Sequence, residues 1–163
     1  MAHFIDNETH KVVANVLVDS RPRHAEWTAD GAQVWVSSEV GGTVSVIDAA
    51  KRVVIKKITF AVPGVPDESI QPVGVVLTKD RKFAFVALGP ANRVAVIDAQ
   101  TFEVKRYLLV GQRVWNLAFN ADESRLFTTN GISNDISVID VPEQEVIKSV
   151  PVGEQPWGVV VRP

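Results

Sequence analysis

Val44-Ser45-Val46-Ile47-Asp48 returns along the chain as Val94-Ala95-Val96-Ile97-Asp98 and again as Ile136-Ser137-Val138-Ile139-Asp140. A fainter copy, Ala2-His3-Phe4-Ile5-Asp6, stands near the start of the sequence. The closing aspartates follow one another at intervals of 42 or 50 residues. A period of about 40–45 residues is typical of propeller blades or helical arrays. Because the repeated segments are short and rich in Val and Ile, and are separated by Gly, Asn, Asp and Pro, they indicate strands and hairpins.

Each repeat divides into four predicted strands, A to D, and the recurring phrase is strand C. Strand A is predicted at 23–27, 73–77, 115–119 and 157–161, and strand B at 34–38, 84–88 and 126–130. Several of these strands are almost continuously apolar, which is expected of a sheet that is covered on both faces. The sequence therefore predicts an all-β fold, a β-propeller of four-stranded antiparallel blades.

The whole chain, 1–163, is interpreted as one propeller region. It divides into strands C and D of a partial blade (1–19), three complete blades (20–60, 61–110 and 111–152) and strand A of a further blade (153–163). The longer second repeat carries an insertion at 62–70, which contains Pro63, Gly64 and Pro66 and is predicted to be a loop.

The predicted strands number fifteen, one fewer than four full blades require. Three interpretations follow. The chain is the carboxy-terminal portion of a longer propeller, or two chains pair through their open strand edges as a homodimer with eight blades, or the chain is a four-bladed ring with one incomplete blade. We expect the first.

Composition excludes several classes of function. The 17 basic and 19 acidic residues leave a net charge of −2, which argues against nucleic-acid binding. The sequence has no cysteine, so disulfides and thiol nucleophiles are excluded. No apolar run approaches the roughly 20 residues of a membrane span, and residues 1–6 have neither the basic start nor the apolar stretch of a signal peptide.

The links from strand D to the next strand A deliver the chain to the innermost strand of each blade, around the mouth of the central channel. We call these positions the channel rim and predict that they bind a protein partner or a small ligand, because Arg and aromatic residues anchor interfaces most often. The alternative is that Trp115 and Trp157 only fill space between blades. The predicted rim residues are Arg21, Arg23, His24, Gln71, Arg113, Trp115, Asn116, Gln155 and Trp157.

No catalytic residue, metal site or cofactor is predicted. His3, His10 and His24 fall on different parts of their blades, and the repeated aspartates occupy turn positions that every hairpin needs. Only His24 and Glu26 could serve as an acid and base on an innermost strand. They keep open the alternative of an enzyme or cofactor-binding propeller, of hydrolase or haem type, with its site in the channel.

The phrases Phe127-Thr128-Thr129-Asn130 and Ile136-Ser137-Val138-Ile139-Asp140, followed by the link at 152–160, resemble the YVTN-type β-propeller repeat. Within that family the chain looks most like bacterial propeller proteins found beside pyrroloquinoline-quinone-dependent alcohol oxidation. This resemblance implies about seven blades, a non-catalytic binding or scaffold role and a periplasmic location. A cell-surface repeat module is the alternative that the same resemblance offers.

Overall fold

The structure is a computed structural model that describes residues 1–162, and its regular elements are strands apart from one short 3₁₀ turn. The turn, Asp67–Ser69, lies within the insertion between the sixth and seventh strands. The strands are β1 (Ala2–Ile5), β2 (Val12–Val16), β3 (Pro22–Trp27), β4 (Gln33–Ser38), β5 (Thr43–Asp48), β6 (Val53–Thr59), β7 (Val75–Leu77), β8 (Phe83–Ala87), β9 (Arg93–Asp98), β10 (Val104–Leu109), β11 (Val114–Phe119), β12 (Arg125–Asn130), β13 (Asp135–Asp140) and β14 (Glu145–Pro151).

The strands form one two-stranded sheet and three four-stranded sheets, each with its strands in chain order. We call β1–β2 the half-blade, and β3–β6, β7–β10 and β11–β14 blades 1, 2 and 3. All pairings are antiparallel. The first strand of blade 2 contacts the first strands of both neighbouring blades, so the innermost strands converge. The predicted all-β propeller architecture of four-stranded blades is confirmed.

Apolar side chains fill the space between successive blades. Trp35 of blade 1 lies with Val86 and Ile97 of blade 2 in one fully buried layer. Phe85 of blade 2 and Leu126 of blade 3 belong to a second layer. A third layer joins the half-blade to blade 1. Blade 2 is therefore covered on both faces, which is why its central strands contain almost no polar residue.

The insertion at 62–70 is a loop that is anchored at both ends. Val62 and Ile70 are buried in the layer between blades 1 and 2, and Val65 packs partly against the same layer. The Ala61 amide donates a hydrogen bond of 3.0 Å to the Tyr107 hydroxyl. The extra residues thus lie outside the sheets without disturbing their pairing.

Residues 157–161, which the sequence predicts to be a strand A, form no strand in the structure. The physical reason is the lack of a hydrogen-bonding neighbour. Every other strand A pairs with a strand B, whereas no strand B is present for this segment among residues 1–162. Its backbone donors and acceptors have no ladder to join.

The repeated aspartates hold turns. Asp98, at the end of a strand C, accepts hydrogen bonds from the Gln100 and Thr101 amides at 3.0 and 2.9 Å. Asp122, in an A-to-B turn, accepts one from the Ser124 amide at 2.9 Å. These donors favour the ionised carboxylate and therefore lower the pKa of both aspartates. The largest contribution comes from Thr101 for Asp98 and from Ser124 for Asp122.

Because the pKa of Asp98 is lower in the folded state than in the unfolded state, protonation at low pH reduces the stability of the fold. The contribution of Asp98 is complete above the unfolded pKa of about 3.9 and is lost as the pH falls through the lower folded value. We expect Asp98→Asn to reduce the melting temperature at pH about 6, and the difference from the unsubstituted chain to shrink towards pH about 2. Thermal unfolding followed by circular dichroism measures this, and a difference that grows as the pH falls contradicts it.

Candidate functional site

Three of the four links that carry rim residues share an unusual backbone conformation. Arg21, Arg113 and Gln155 occupy the same link position and all have left-handed backbones, with φ of 59°, 57° and 49°. The Arg21 and Arg113 carbonyls accept hydrogen bonds of 2.9 Å from the amides of Glu39 and Gly131, the residues that follow strand B in their blades. These bonds hold each link in place against its own blade.

Glu39 is a site residue that the sequence analysis missed. It follows strand B in blade 1, at a position that Gly89 and Gly131 occupy in blades 2 and 3. Its side chain is only 3% exposed, although glutamate is rarely buried without a partner. Comparison of the repeats would have found it, since it is the one charged residue at a position otherwise filled by glycine.

Three guanidinium groups surround the Glu39 carboxylate. Arg21 Nε and Arg23 Nε lie 3.0 and 3.3 Å from Glu39 Oε2, and Arg113 Nη2 lies 3.6 Å from Oε1. Arg21, Arg23 and Glu39 belong to blade 1 and its link, whereas Arg113 belongs to the link into blade 3. The cluster therefore spans the top of blade 2 and draws together blades that are not neighbours. We call these four residues the arginine cluster.

The arginine cluster is held by charge rather than by aligned hydrogen bonds. Glu39 Oε2 is buried and accepts no hydrogen bond within the described chain. By contrast, Arg125 of blade 3 donates a 2.8 Å hydrogen bond to the Ser124 carbonyl and pairs with Asp140. Each guanidinium carries five N–H donors, so the cluster retains donor capacity that this chain does not use.

Two tryptophans form the aromatic wall of the rim. The Arg113 guanidinium carbon lies 4.4 Å from the centroid of the Trp115 ring, within the range of a cation–π contact, and Arg23 lies 5.8 Å from it. The Trp115 and Trp157 rings are 6.4 Å apart at 40°. Gly131 has no room for a side chain, because an added Cβ would lie 2.6 Å from Trp115 Nε1. Trp115 thus fixes Arg113 from one side.

The structure gathers eight of the nine predicted rim residues around this cluster. A cavity of about 520 Å³ is lined by Arg113, Trp115, Gln155 and Trp157, together with Asn134 and Glu154. A smaller cavity of about 260 Å³ joins Arg23, His24, Asn116 and Trp157. Arg21 belongs to the cluster through its contact with Glu39. Gln71 turns away and donates a 3.0 Å hydrogen bond to the Glu68 carbonyl in the insertion.

His24 and Glu26 contact each other beside the rim. His24 Nε2 lies 3.2 Å from Glu26 Oε2, and both side chains are about one-third exposed. Alternate residues of a strand face the same side, so the two groups meet along β3. His3 instead contacts Asn15, with 2.6 Å between Nδ1 and Oδ1.

No metal centre and no membrane span emerge from residues 1–162. Nowhere in this range do three or more His, Asp or Glu side chains come together in a group that could hold a metal ion. The same residues include no helix of the length and apolarity needed to cross a bilayer.

The model of the family described as "Lactonase, 7-bladed beta-propeller" matches residues 5–150, which is most of the chain. Comparison with curated proteins finds no match.

Solved structures share the fold at low identity. Hydrazine synthase of Kuenenia stuttgartiensis is 23% identical with a TM-score of 0.73, over 90% of this chain and 40% of that one. A functionally unknown protein from Desulfotomaculum acetoxidans is 21% identical with a TM-score of 0.73, over 90% and 47%. U3-55K is 15% identical with a TM-score of 0.72, over 85% and 41%. The chain spans less than half the length of each of them.

Removing the charge of Glu39 should destabilise the rim. Glu39→Gln leaves three positive groups facing one another without a counter-charge, and we expect a loss of about 1–3 kcal/mol in the free energy of unfolding. Because the arginines are partly exposed, the loss should shrink in about 1 M NaCl. Urea unfolding at low and high salt measures both effects.

Glu103→Gln is the matched control, since among the residues that the structure describes the exposed Glu103 carboxylate pairs only with Lys105, at 3.1 Å. Its cost should stay below about 0.5 kcal/mol. If Glu39→Gln costs no more than this control, the arginines do not depend on Glu39.

Proposed function

The chain belongs to the lactonase family of seven-bladed β-propellers, and we propose that its channel rim binds an anionic ligand without transforming it. One observation carries this proposal: three guanidinium groups gather at the rim around a single carboxylate, which can accept only part of their N–H donors. The ligand class is an organic anion with carboxylate or phosphate oxygens.

The charge of the arginine cluster supports an anion. Three positive groups meet one negative group, so the arginine cluster carries an excess of positive charge, although the whole chain carries a net charge of −2 and the larger cavity is also lined by Glu154. Arginine recognises oxyanions with two parallel N–H donors, and such charge-assisted bonds are stronger than neutral ones. Partial exposure of Arg113, at 27% of its side chain, leaves it within reach of a ligand.

The tryptophans support a ligand with a carbon skeleton. Trp115 and Trp157 line the larger cavity next to Arg113, and Trp157 is more than half exposed. An aromatic ring gives apolar contact area at low entropic cost, while its neighbour Arg113 takes the charged end of the ligand. The polar groups of Asn134 and Gln155 on the same wall could meet hydroxyl or amide groups of the ligand.

We also propose a setting for this binding, on the resemblance of the repeat to YVTN-type propellers. The chain would serve as a binding or scaffold protein in the bacterial periplasm, in support of pyrroloquinoline-quinone-dependent alcohol oxidation. The phrase that ends at Asp48, Asp98 and Asp140 supports the YVTN resemblance, and the rim would be the surface presented to the partner or ligand.

Arg113→Ala should weaken anion binding by roughly 10- to 100-fold, since a hydrogen bond to a charged group contributes about 1.5–3 kcal/mol. Isothermal titration with citrate and with phenyl phosphate measures the affinity. Trp115→Ala should weaken both as well, because it removes the contact that fixes Arg113. Both variants should keep the circular dichroism spectrum of the unsubstituted chain, which separates a loss of affinity from a loss of the fold.

Arg106→Ala is the matched control, because Arg106 lies on the outermost strand of blade 2, away from the rim, and within residues 1–162 its side chain donates only to the Gln144 carbonyl. It should bind both anions like the unsubstituted chain. Equal affinity in the Arg113→Ala and Arg106→Ala variants would place the anion elsewhere.

A second candidate function is lactone hydrolysis, which the family description and the His24–Glu26 contact favour. His24, oriented by Glu26, would take a proton from water as the water oxygen bonds to the lactone carbonyl carbon. The ring C–O bond then breaks, and the proton passes to the leaving oxygen to give a hydroxy acid. Ring opening of δ-gluconolactone and γ-butyrolactone, followed by proton NMR, tests it. Activity that His24→Asn abolishes supports hydrolysis over simple binding.

A further inference from the structure

The outermost strand of blade 1, β6, and the turn that leads into it carry a symmetrical run of side chains. The run begins and ends with a basic pair and has three aliphatic residues between the pairs. Its residues, which we call the blade 1 edge, are Lys51, Arg52, Val53, Val54, Ile55, Lys56 and Lys57. Blade 1 packs against the half-blade on one face and against blade 2 on the other. The blade 1 edge therefore lies on the outer perimeter of the propeller, beyond the last strand pairing of its sheet.

The other complete blades do not repeat this charge. When the repeats are aligned on the aspartate that ends strand C, the positions of the blade 1 edge carry a net charge of +4 in blade 1, +1 in blade 2 and −1 in blade 3. The charged residues at these positions in blades 2 and 3 are Glu103, Lys105, Arg106, Glu143, Glu145 and Lys148. The excess of positive charge is thus local to blade 1, in a chain whose net charge is −2.

The aliphatic side chains of the blade 1 edge are exposed to solvent. Val53, Val54 and Ile55 are 48%, 37% and 46% exposed. The blade architecture does not require an aliphatic residue at position 53, since Glu103 and Glu145 stand there in the other two complete blades. Adjoining exposed apolar residues with polar residues around them are typical of surfaces that bind a protein or a membrane.

A β-bulge in β6 favours one of these two partners. Ile55 has no residue opposite it on β5, because the pairing of the two strands shifts between Val46 and Ile47. Such a bulge bends the edge and interrupts its row of backbone groups, which disfavours the addition of a strand from another protein. A lipid surface requires no register. The blade 1 edge therefore fits a bilayer better than an extended peptide.

The basic side chains are placed to reach such a surface. Lys51 is 76% exposed, and its Nζ lies 3.8 Å from Asp48 Oδ2. Lys57 is half-exposed and lies 2.9 Å from Asp19 Oδ1. Arg52 donates a 3.4 Å hydrogen bond to an uncharged group, the main-chain carbonyl of Val13. The positive charge is thus only partly compensated, and long basic side chains can extend past neighbouring apolar groups to a charged layer.

We propose that the blade 1 edge binds the surface of a bilayer that contains anionic lipids. Val53, Val54 and Ile55 enter the boundary between headgroups and acyl chains, and the basic pairs on either side contact lipid phosphates. Apolar burial and attraction to the negative surface then act together. The surface lies on an outermost strand, whereas the channel rim lies at the innermost strands, so the proposal does not depend on the proposed function.

Sedimentation with vesicles tests the binding. The unsubstituted chain should bind vesicles of phosphatidylcholine with about 30 mol % phosphatidylglycerol in about 50 mM NaCl, and most of it should be released in about 500 mM NaCl. It should hardly bind vesicles of phosphatidylcholine alone. Lys56→Glu should lower the partition coefficient roughly 5- to 30-fold, because a repelled charge replaces an attracted one.

Arg106→Glu is the matched control. Arg106 occupies the position of Lys56 in blade 2, so the substitution changes the net charge of the chain equally but lies outside the blade 1 edge. This variant should bind the anionic vesicles like the unsubstituted chain. Circular dichroism of both variants separates a loss of binding from a loss of the fold.

Fluorescence tests the apolar contact. The chain has no native cysteine, so Ile55→Cys can be labelled with the environment-sensitive dye NBD at that position alone. Anionic vesicles should raise its emission several-fold and shift it to shorter wavelength, because the dye enters the acyl boundary. Ile147→Cys is the control, since Ile147 lies at the same bulge in blade 3 and is 51% exposed. Its emission should stay unchanged.

Several results would overturn the proposal. They are a lack of binding to anionic vesicles, equal binding to both kinds of vesicle, equal losses in the Lys56→Glu and Arg106→Glu variants, and an unchanged emission of the dye at position 55. Binding of soluble polyglutamate without binding of anionic vesicles would also overturn it, because the partner would then be an acidic polypeptide.

Discussion

The burial of both faces of each sheet is the constraint on which the rest of the structure depends. Neither face of a blade between two neighbours is exposed to water, because a neighbouring blade packs against each face. Trp35 of blade 1 and Phe85 of blade 2 are both fully buried, each in a different apolar layer between two blades. Stability is then shared between each blade and its neighbours, as in other repeat proteins. Charged groups lie mainly in the turns and at the mouth of the channel, whereas small polar side chains such as Ser45 and Ser137 stay buried within the strands.

This separation explains why the fold could be predicted from the sequence in detail. The phrase around Val46, Val96 and Val138 needs no partner outside its repeat to be identified as a strand, because its residue types and spacing are local properties. The turn aspartates are equally local, since Asp98 bonds to amides two and three residues further on. The same pattern occurs three times along the chain, and three copies identify a repeated strand more specifically than one copy would.

The site was predicted only in outline. The position of the links identified Arg113 and Trp115 as rim residues, but not the cation–π contact that joins them or the bridge from Arg113 to Glu39 across blade 2. Glu39 was missed because burial of a carboxylate is a tertiary property, decided by arginines 18 residues before it and 74 after it. Gln71, which occupies the same link position as Arg113, turns to the insertion instead, and no local pattern distinguishes the two. For the segment 157–161, propensity was outweighed by the lack of a neighbouring strand.

The arginine cluster reconciles two demands that usually conflict. A buried carboxylate is costly without counter-charges, and gathered guanidinium groups repel one another without an anion. Glu39 meets both demands, since it holds the arginines near the axis while its own burial is compensated. Trp115 adds a rigid surface against which Arg113 rests.

The shared left-handed backbone of Arg21, Arg113 and Gln155 has an evolutionary consequence. At Arg21 and Arg113 the main-chain carbonyl accepts a hydrogen bond, and at Gln155 the main-chain amide donates one to Asn134. None of these bonds uses the side chain of the link residue, so the link shape is compatible with both arginine and glutamine. Mutation can therefore alter the chemistry displayed at one link while the neighbouring links and the scaffold stay as they are. Selection can in this way change the ligand preference of the rim through one link at a time.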